Sequence, residues 1–99
     1  MNKPLVVHRL ARNEASAASR WYRQRSPQAS DRFDDELAVA FATIEERPLS
    51  FPEYLASTRR CLLKRFPYLV VFYEMKDCWL VVAVAHGHRR PGYWRRRLV

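Results

Sequence analysis

Two distinct hydrophobic periods divide this chain. Leu5 to Leu10 is a short β-type run. From Asn13 to about Arg25 the apolar residues Ala15, Ala18, Trp21 and Tyr22 recur at helical spacing, with Asn13 placed as an N-cap. Ser26-Pro27 closes that helix and opens another, because proline fits the first helical position. In the second helix Ala29, Phe33, Leu37, Ala40, Phe41 and Ile44 share one face. Asp31, Asp34, Asp35 and Glu36 sit early in it, where the helix dipole favours negative charge, and Pro48 follows its end. Leu49 to Ala56 is irregular and pinned by Phe51 and Tyr54.

The period then shortens. Thr58–Lys64, Tyr68–Met75 and Cys78–His86 read as strands, with Lys76-Asp77 turning a tight hairpin between the last two. Those two are nearly continuous in apolar and β-branched residues, as central strands are. The expected order is β-α-α-β-β-β. It forms an α+β two-layer sandwich, a helical hairpin on a mostly antiparallel four-stranded sheet. On that reading Trp21, Tyr22, Phe33 and Phe41 are core residues.

Composition narrows the function. Ninety-nine residues suit a single domain, 1–99, and 48% apolar content with 13% aromatic side chains is globular. Eighteen basic against ten acidic side chains give a net charge of +8, which favours an anionic partner. The apolar runs at Tyr68–Tyr73 and Trp79–Ala85 fall far short of the roughly 20 residues a spanning helix needs, so no membrane is expected. The N-terminus lacks the apolar stretch of a secretory signal, and a cytoplasmic protein is the expectation. Cys61 and Cys78 lack metal-type spacing and read as small apolar strand residues.

The chemistry gathers near the C-terminal end. His86 to Val99 contains five arginines, two histidines and the adjacent Tyr93 and Trp94. Guanidinium groups grip phosphate or carboxylate in a planar fork, and the two rings offer faces for a base or another guanidinium. Arg59, Arg60, Lys64 and Arg65 stud the preceding strand. They read either as a solvated edge blunted against aggregation or as a basic surface continuous with the end of the chain.

His86 and His88 alternate and lack a third ligand nearby, so no metal and no cofactor is expected. Imidazole titrates near neutrality, and a metal-free ribonuclease needs one group to take the 2′-hydroxyl proton and another to protonate the leaving oxygen. Cations must also stabilise the crowded phosphate. Arg60, Lys64, His86, His88, Tyr93, Arg89 and Arg90 would suffice as residue types. Alternatively, His86 ends a strand and the arginines bind a partner's acids.

A wider set of residues resembles a known family: Trp21-Tyr22; Phe33 with Leu37, Ile44 and Pro48; Arg59-Arg60 with Leu62-Leu63; Arg65-Phe66-Pro67-Tyr68 with Tyr73; and Ala83-Val84-Ala85-His86 with Arg89-Arg90-Pro91 and Tyr93-Trp94. Together these look like the ParE/RelE superfamily of type II toxin–antitoxin toxins, in its ParE-like plasmid stabilisation branch. The resemblance implies the RelE/ParE toxin fold and a bacterial protein held inactive by a cognate antitoxin through an acidic or amphipathic segment. Contact with promoter DNA would come only through the antitoxin complex. ParE-type members poison DNA gyrase without being enzymes, whereas RelE-type members cut messenger RNA on the ribosome.

If RelE-like, the resemblance makes Arg60, Lys64, His86, His88 and Tyr93 the catalytic candidates. Arg59, Arg65, Arg89, Arg90, Trp94, Arg95, Arg96 and Arg97 would meet the target or the antitoxin. Trp94 stands where an ungapped comparison would want tyrosine, so the gyrase reading is preferred.

Overall fold

The computed structural model describes residues 3–98. Strand β1 (Leu5–Val7) leads into helix α1 (Arg9–Arg25) and helix α2 (Pro27–Glu46), followed by strands β2 (Arg59–Leu62), β3 (Tyr68–Glu74) and β4 (Trp79–His86). The sheet order is β1-β4-β3-β2, with β1 parallel to β4 and the other pairs antiparallel. This is the expected α+β architecture. Among the described residues, no helix is long and apolar enough to cross a membrane.

The first helix starts five residues earlier than an Asn13 cap would have it. His8 rather than Asn13 is its N-cap: the imidazole Nδ1 accepts the Leu10 N–H at 3.0 Å, satisfying an otherwise orphaned donor. At the helical corner Ser26 does double duty. Its N–H bonds the Tyr22 carbonyl to end α1, and its hydroxyl accepts from Ala29 to begin α2, with Pro27 in the first turn. Phe33, Leu37, Ala40 and Ile44 form the buried stripe of α2. They pack against Val70, Phe72, Val81 and Val84 on one face of the sheet, where Tyr22 and Phe66 complete an aromatic cluster around Phe33.

The opposite face of the sheet is not open. Val71, Leu80, Val82, Ala83 and Ala85 form a second apolar layer, covered by Tyr54, Leu55 and the chain beyond β4. A register shift at Val71/Phe72 lets β4 place both Val82 and Ala83 towards this layer. Trp94 sits at its centre, 1% exposed.

Between α2 and β2 the chain makes two short 3-10 turns, Pro48–Ser50 and Leu55–Ser57. Ala56 and Ser57 both hold left-handed backbone, with φ of 55° and 64°. A side chain there crowds the following carbonyl at a cost of roughly 1–2 kcal/mol. Replacing Ala56 with glycine is therefore expected to raise stability by about 0.5–1 kcal/mol after the extra freedom of the unfolded chain is counted, as urea denaturation would measure.

Candidate functional site

The arginine-rich end folds back onto the molecule. Pro91 to Trp94 make a turn in which Gly92 takes φ +84°, and a Cβ there would lie 3.1 Å from the Arg95 side chain. This turn sends Trp94 inward, so it presents no stacking face to a partner, contrary to the sequence expectation. Hydrophobic burial of a large indole outweighs the polarity of its neighbours.

Glu14 on α1 holds this end in place. Its Oε1 accepts from Val84 N–H at 3.0 Å and from Arg97 Nη1 at 3.0 Å, and its Oε2 accepts from the Tyr93 hydroxyl at 2.7 Å and Arg97 Nη2 at 3.0 Å. Arg97 also donates to the Val82 carbonyl at 2.9 Å. Strand β1 ends at its pairing with Val81, so Val82 and Val84 lie beyond the reach of the ladder. The Glu14–Arg97 pair supplies the donor and acceptor that a longer β1 would have given. Arg97, expected at a binding surface, is thus a mostly buried structural cation. Glu14 drew no attention in the sequence, where nothing local links it to residues some eighty positions away.

The Tyr93 phenol is pushed well above its ordinary value of 10.0, first by burial and then by its hydrogen bond to Glu14 and that carboxylate's charge; Arg89 and Arg97 pull weakly the other way. Tyr93 is therefore a proton donor held in place at neutral pH. A raised folded value means that its stabilising contribution is complete below about pH 10 and is lost as pH rises through the unfolded value towards the folded one. Burial shifts Tyr22 and Tyr68 the same way. Tyr93→Phe is expected to cost about 1.5–3 kcal/mol at pH 7 and to lose stability less steeply above pH 10, as urea melts across that range would record.

The five nuclease candidates do not all converge: His86 and Tyr93 line one concavity with Arg89, and His88 lies against His86, but Arg60 and Lys64 stand apart from them. Arg60 pairs across β2–β3 with Val71, which pairs with Ala83, so it lies on the Trp94 face of the sheet. Its guanidinium lies over Tyr54 at 4.9 Å, and its buried Nε has no hydrogen-bond partner among the described residues. His86 pairs with Tyr68 and packs edge-to-face on it at 5.1 Å, on the helix side of the sheet. The His86 Nδ1 accepts the His88 N–H, while Lys64 lies past the end of β2 and its N–H is bound by Glu36.

The remaining cations divide similarly. Arg59 is tied down, donating to the Phe51 carbonyl at 2.7 Å beside Glu53. The Arg65 N–H is shared with Glu36, leaving its side chain exposed. Arg89 stacks on Tyr93 at 3.8 Å, and Arg90, Arg95 and Arg96 are exposed.

Two concavities border these groups. A groove of about 660 Å3 runs between α2 and β2, floored by Ala40 and Leu63 and flanked by Val39 and Leu62. Those two are 65% and 61% exposed, and Arg32, Arg47, Lys64 and Arg65 stand around them together with Asp35 and Glu36. A second, of about 590 Å3, lies between α1 and the end of β4. Trp21 is at its rim, 51% exposed, where a core position had been expected. It lies beside the packed stripe of Ala11, Ala15, Ala18 and Tyr22 on α1, and Arg25 covers its ring from 3.6 Å.

A family model described as "ParE toxin of type II toxin-antitoxin system, parDE" matches residues 5–91, from the first strand to the turn after β4. No curated protein matches the chain.

Proposed function

Because the chain belongs to the ParE toxins of type II toxin–antitoxin systems, we propose that it arrests growth as a non-catalytic binding toxin directed at DNA gyrase. The observation that carries this reading is the division of the nuclease candidates. Arg60 and His86 stand on opposite faces of one sheet, and acid–base catalysis requires both partners within hydrogen-bond reach of one substrate. A ribosome-dependent endoribonuclease would need those groups around a common phosphate.

The antitoxin's neutralising segment lies in the groove between α2 and β2. Two exposed aliphatic side chains in an apolar trough, bordered by four cations against Asp35 and a Glu36 that is engaged by the Lys64 and Arg65 N–H groups, suit an amphipathic helix with acidic flanks. Strand addition suits this edge less well. Arg60 N–H already bonds the Pro52 carbonyl, and Glu53 bridges Arg59.

Induced expression, with and without a short neighbouring open reading frame, tests the toxin role. Arrest that the neighbour relieves is the expected outcome, with purified protein inhibiting gyrase supercoiling and messages staying intact. Primer extension revealing codon-specific cuts while supercoiling proceeds would favour the nuclease instead. Leu62→Glu with Val39→Glu is expected to weaken antitoxin binding roughly tenfold or more while growth arrest persists, as titration calorimetry would measure.

A further inference from the structure

The concavity between α1 and the end of β4 has the makings of a stacking site. Strand β1 stops at Val7, and the small Ala17 and Ala18 of α1, between Glu14 and Trp21-Tyr22, leave the floor open. Around it runs a series of rings: Trp21 meets Tyr22 at 5.1 Å, Tyr22 meets Tyr68 at 6.4 Å, Tyr68 meets His86 at 5.1 Å, and His86 meets His88 at 4.9 Å. The series crosses α1, β3 and β4, so the sheet and helix hold it rigidly.

A guanidinium stands at each end. Arg25 is fixed over Trp21 and donates to the Trp21 carbonyl at 3.1 Å, and Arg89 lies over Tyr93. The acid lining this space, Glu14, is fully engaged by Arg97, Tyr93 and Val84, so the free charge facing it is positive. Its volume, about 590 Å3, falls within the roughly 300–1,000 Å3 common to ligand pockets.

We propose that this site binds single-stranded nucleic acid, with an unstacked base lodged among Trp21, Tyr68 and His86 and the flanking phosphates on Arg25 and Arg89. Exposed rings beside fixed cations are the combination that holds single strands with little sequence preference. The interior favours a base over an apolar side chain. The hydroxyls of Tyr22 and Tyr68 have no hydrogen-bond partner among the described residues, and a base edge can pair with them where a leucine cannot. The site rests on residues apart from the antitoxin groove and needs no gyrase, so failure of the unaltered protein to bind an oligonucleotide while growth arrest persists would sink this inference alone.

Titration with a (dT)10 oligonucleotide is the test. Trp79 and Trp94 are buried, so quenching of the exposed indole reports Trp21. By anisotropy of labelled (dT)10, Trp21→Ala is expected to weaken binding roughly tenfold or more, with Trp21→Phe retaining most of it. Arg89→Gln should lower the slope of log affinity against log salt by about 0.7, one phosphate's worth of released counterion on a single strand. Circular dichroism and thermal melts check that each variant folds. Unchanged affinity in Trp21→Ala would overturn the proposal, reducing the interaction to net charge. Displacement of the oligonucleotide by an equal concentration of a glutamate decamer would overturn it too, assigning the site to an acidic protein segment.

Discussion

Glu14→Ala is expected to destabilise the protein by about 3–5 kcal/mol, because it strands Arg97 as an unpaired, mostly buried cation and orphans the Val84 N–H. For a domain of this size that loss lowers Tm by about 15–30 °C. The cost of breaking such a pair is mainly the desolvation of the charge left behind. Arg97→Ala should be comparably severe, leaving a buried carboxylate. Removing both charges together differs: Glu14→Leu with Arg97→Met takes away both desolvated groups and should recover much of the stability. Val84 N–H and the Val82 carbonyl would still lack partners, so recovery stays incomplete. Thermal unfolding of the parent, Glu14→Ala, Arg97→Ala and the double-alanine variant supplies the double-mutant cycle, and additive losses would refute the coupling.

Trp94→Ala is the second large effect, at about 3–5 kcal/mol, since the indole fills the layer between Tyr54 and the β3–β4 face. The cavity cannot close easily, because the turn at Gly92 and the bonds of Arg97 fix the backbone on either side. Urea denaturation gives the magnitude, and Trp94→Phe should cost less. Trp21→Ala provides the contrast: with its ring at the surface, it should shift stability by no more than about 0.5 kcal/mol. A Trp94 that acted as a docking face would show the opposite ranking, with binding lost and stability kept.

The fold was legible because its signals are local. The four-three spacing from Phe33 to Ile44, the Ser26-Pro27 corner and the β-branched runs of β3 and β4 each declare an element within a few residues. The His8 cap was less visible, since histidine is a rare cap and Asn13 advertises one better.

The site was harder to read. Five arginines around Trp94 look like a surface, and nothing nearby in sequence announces the layer of Val71, Val82 and Ala83 that receives the indole. The partnership of Glu14 with Arg97 is wholly long-range. Trp21 has helical spacing, but Tyr22 beside it takes the core position in line with Ala11, Ala15 and Ala18, which leaves the indole at the edge of the buried face. Which face of the sheet Arg60 and His86 occupy depended on pairing register and the irregularity at Val71/Phe72, neither of which periodicity reveals.

The outermost backbone of the sheet has a consequence for behaviour at high concentration. On β1 the Leu5 N–H is taken by Glu45 and the Val7 carbonyl by Arg12, while on β2 the Arg60 N–H is taken by Pro52. Amyloid-like growth and runaway polymerisation need a bare row of such groups to template the next chain. At high concentration the folded protein is expected not to polymerise edge to edge through this sheet.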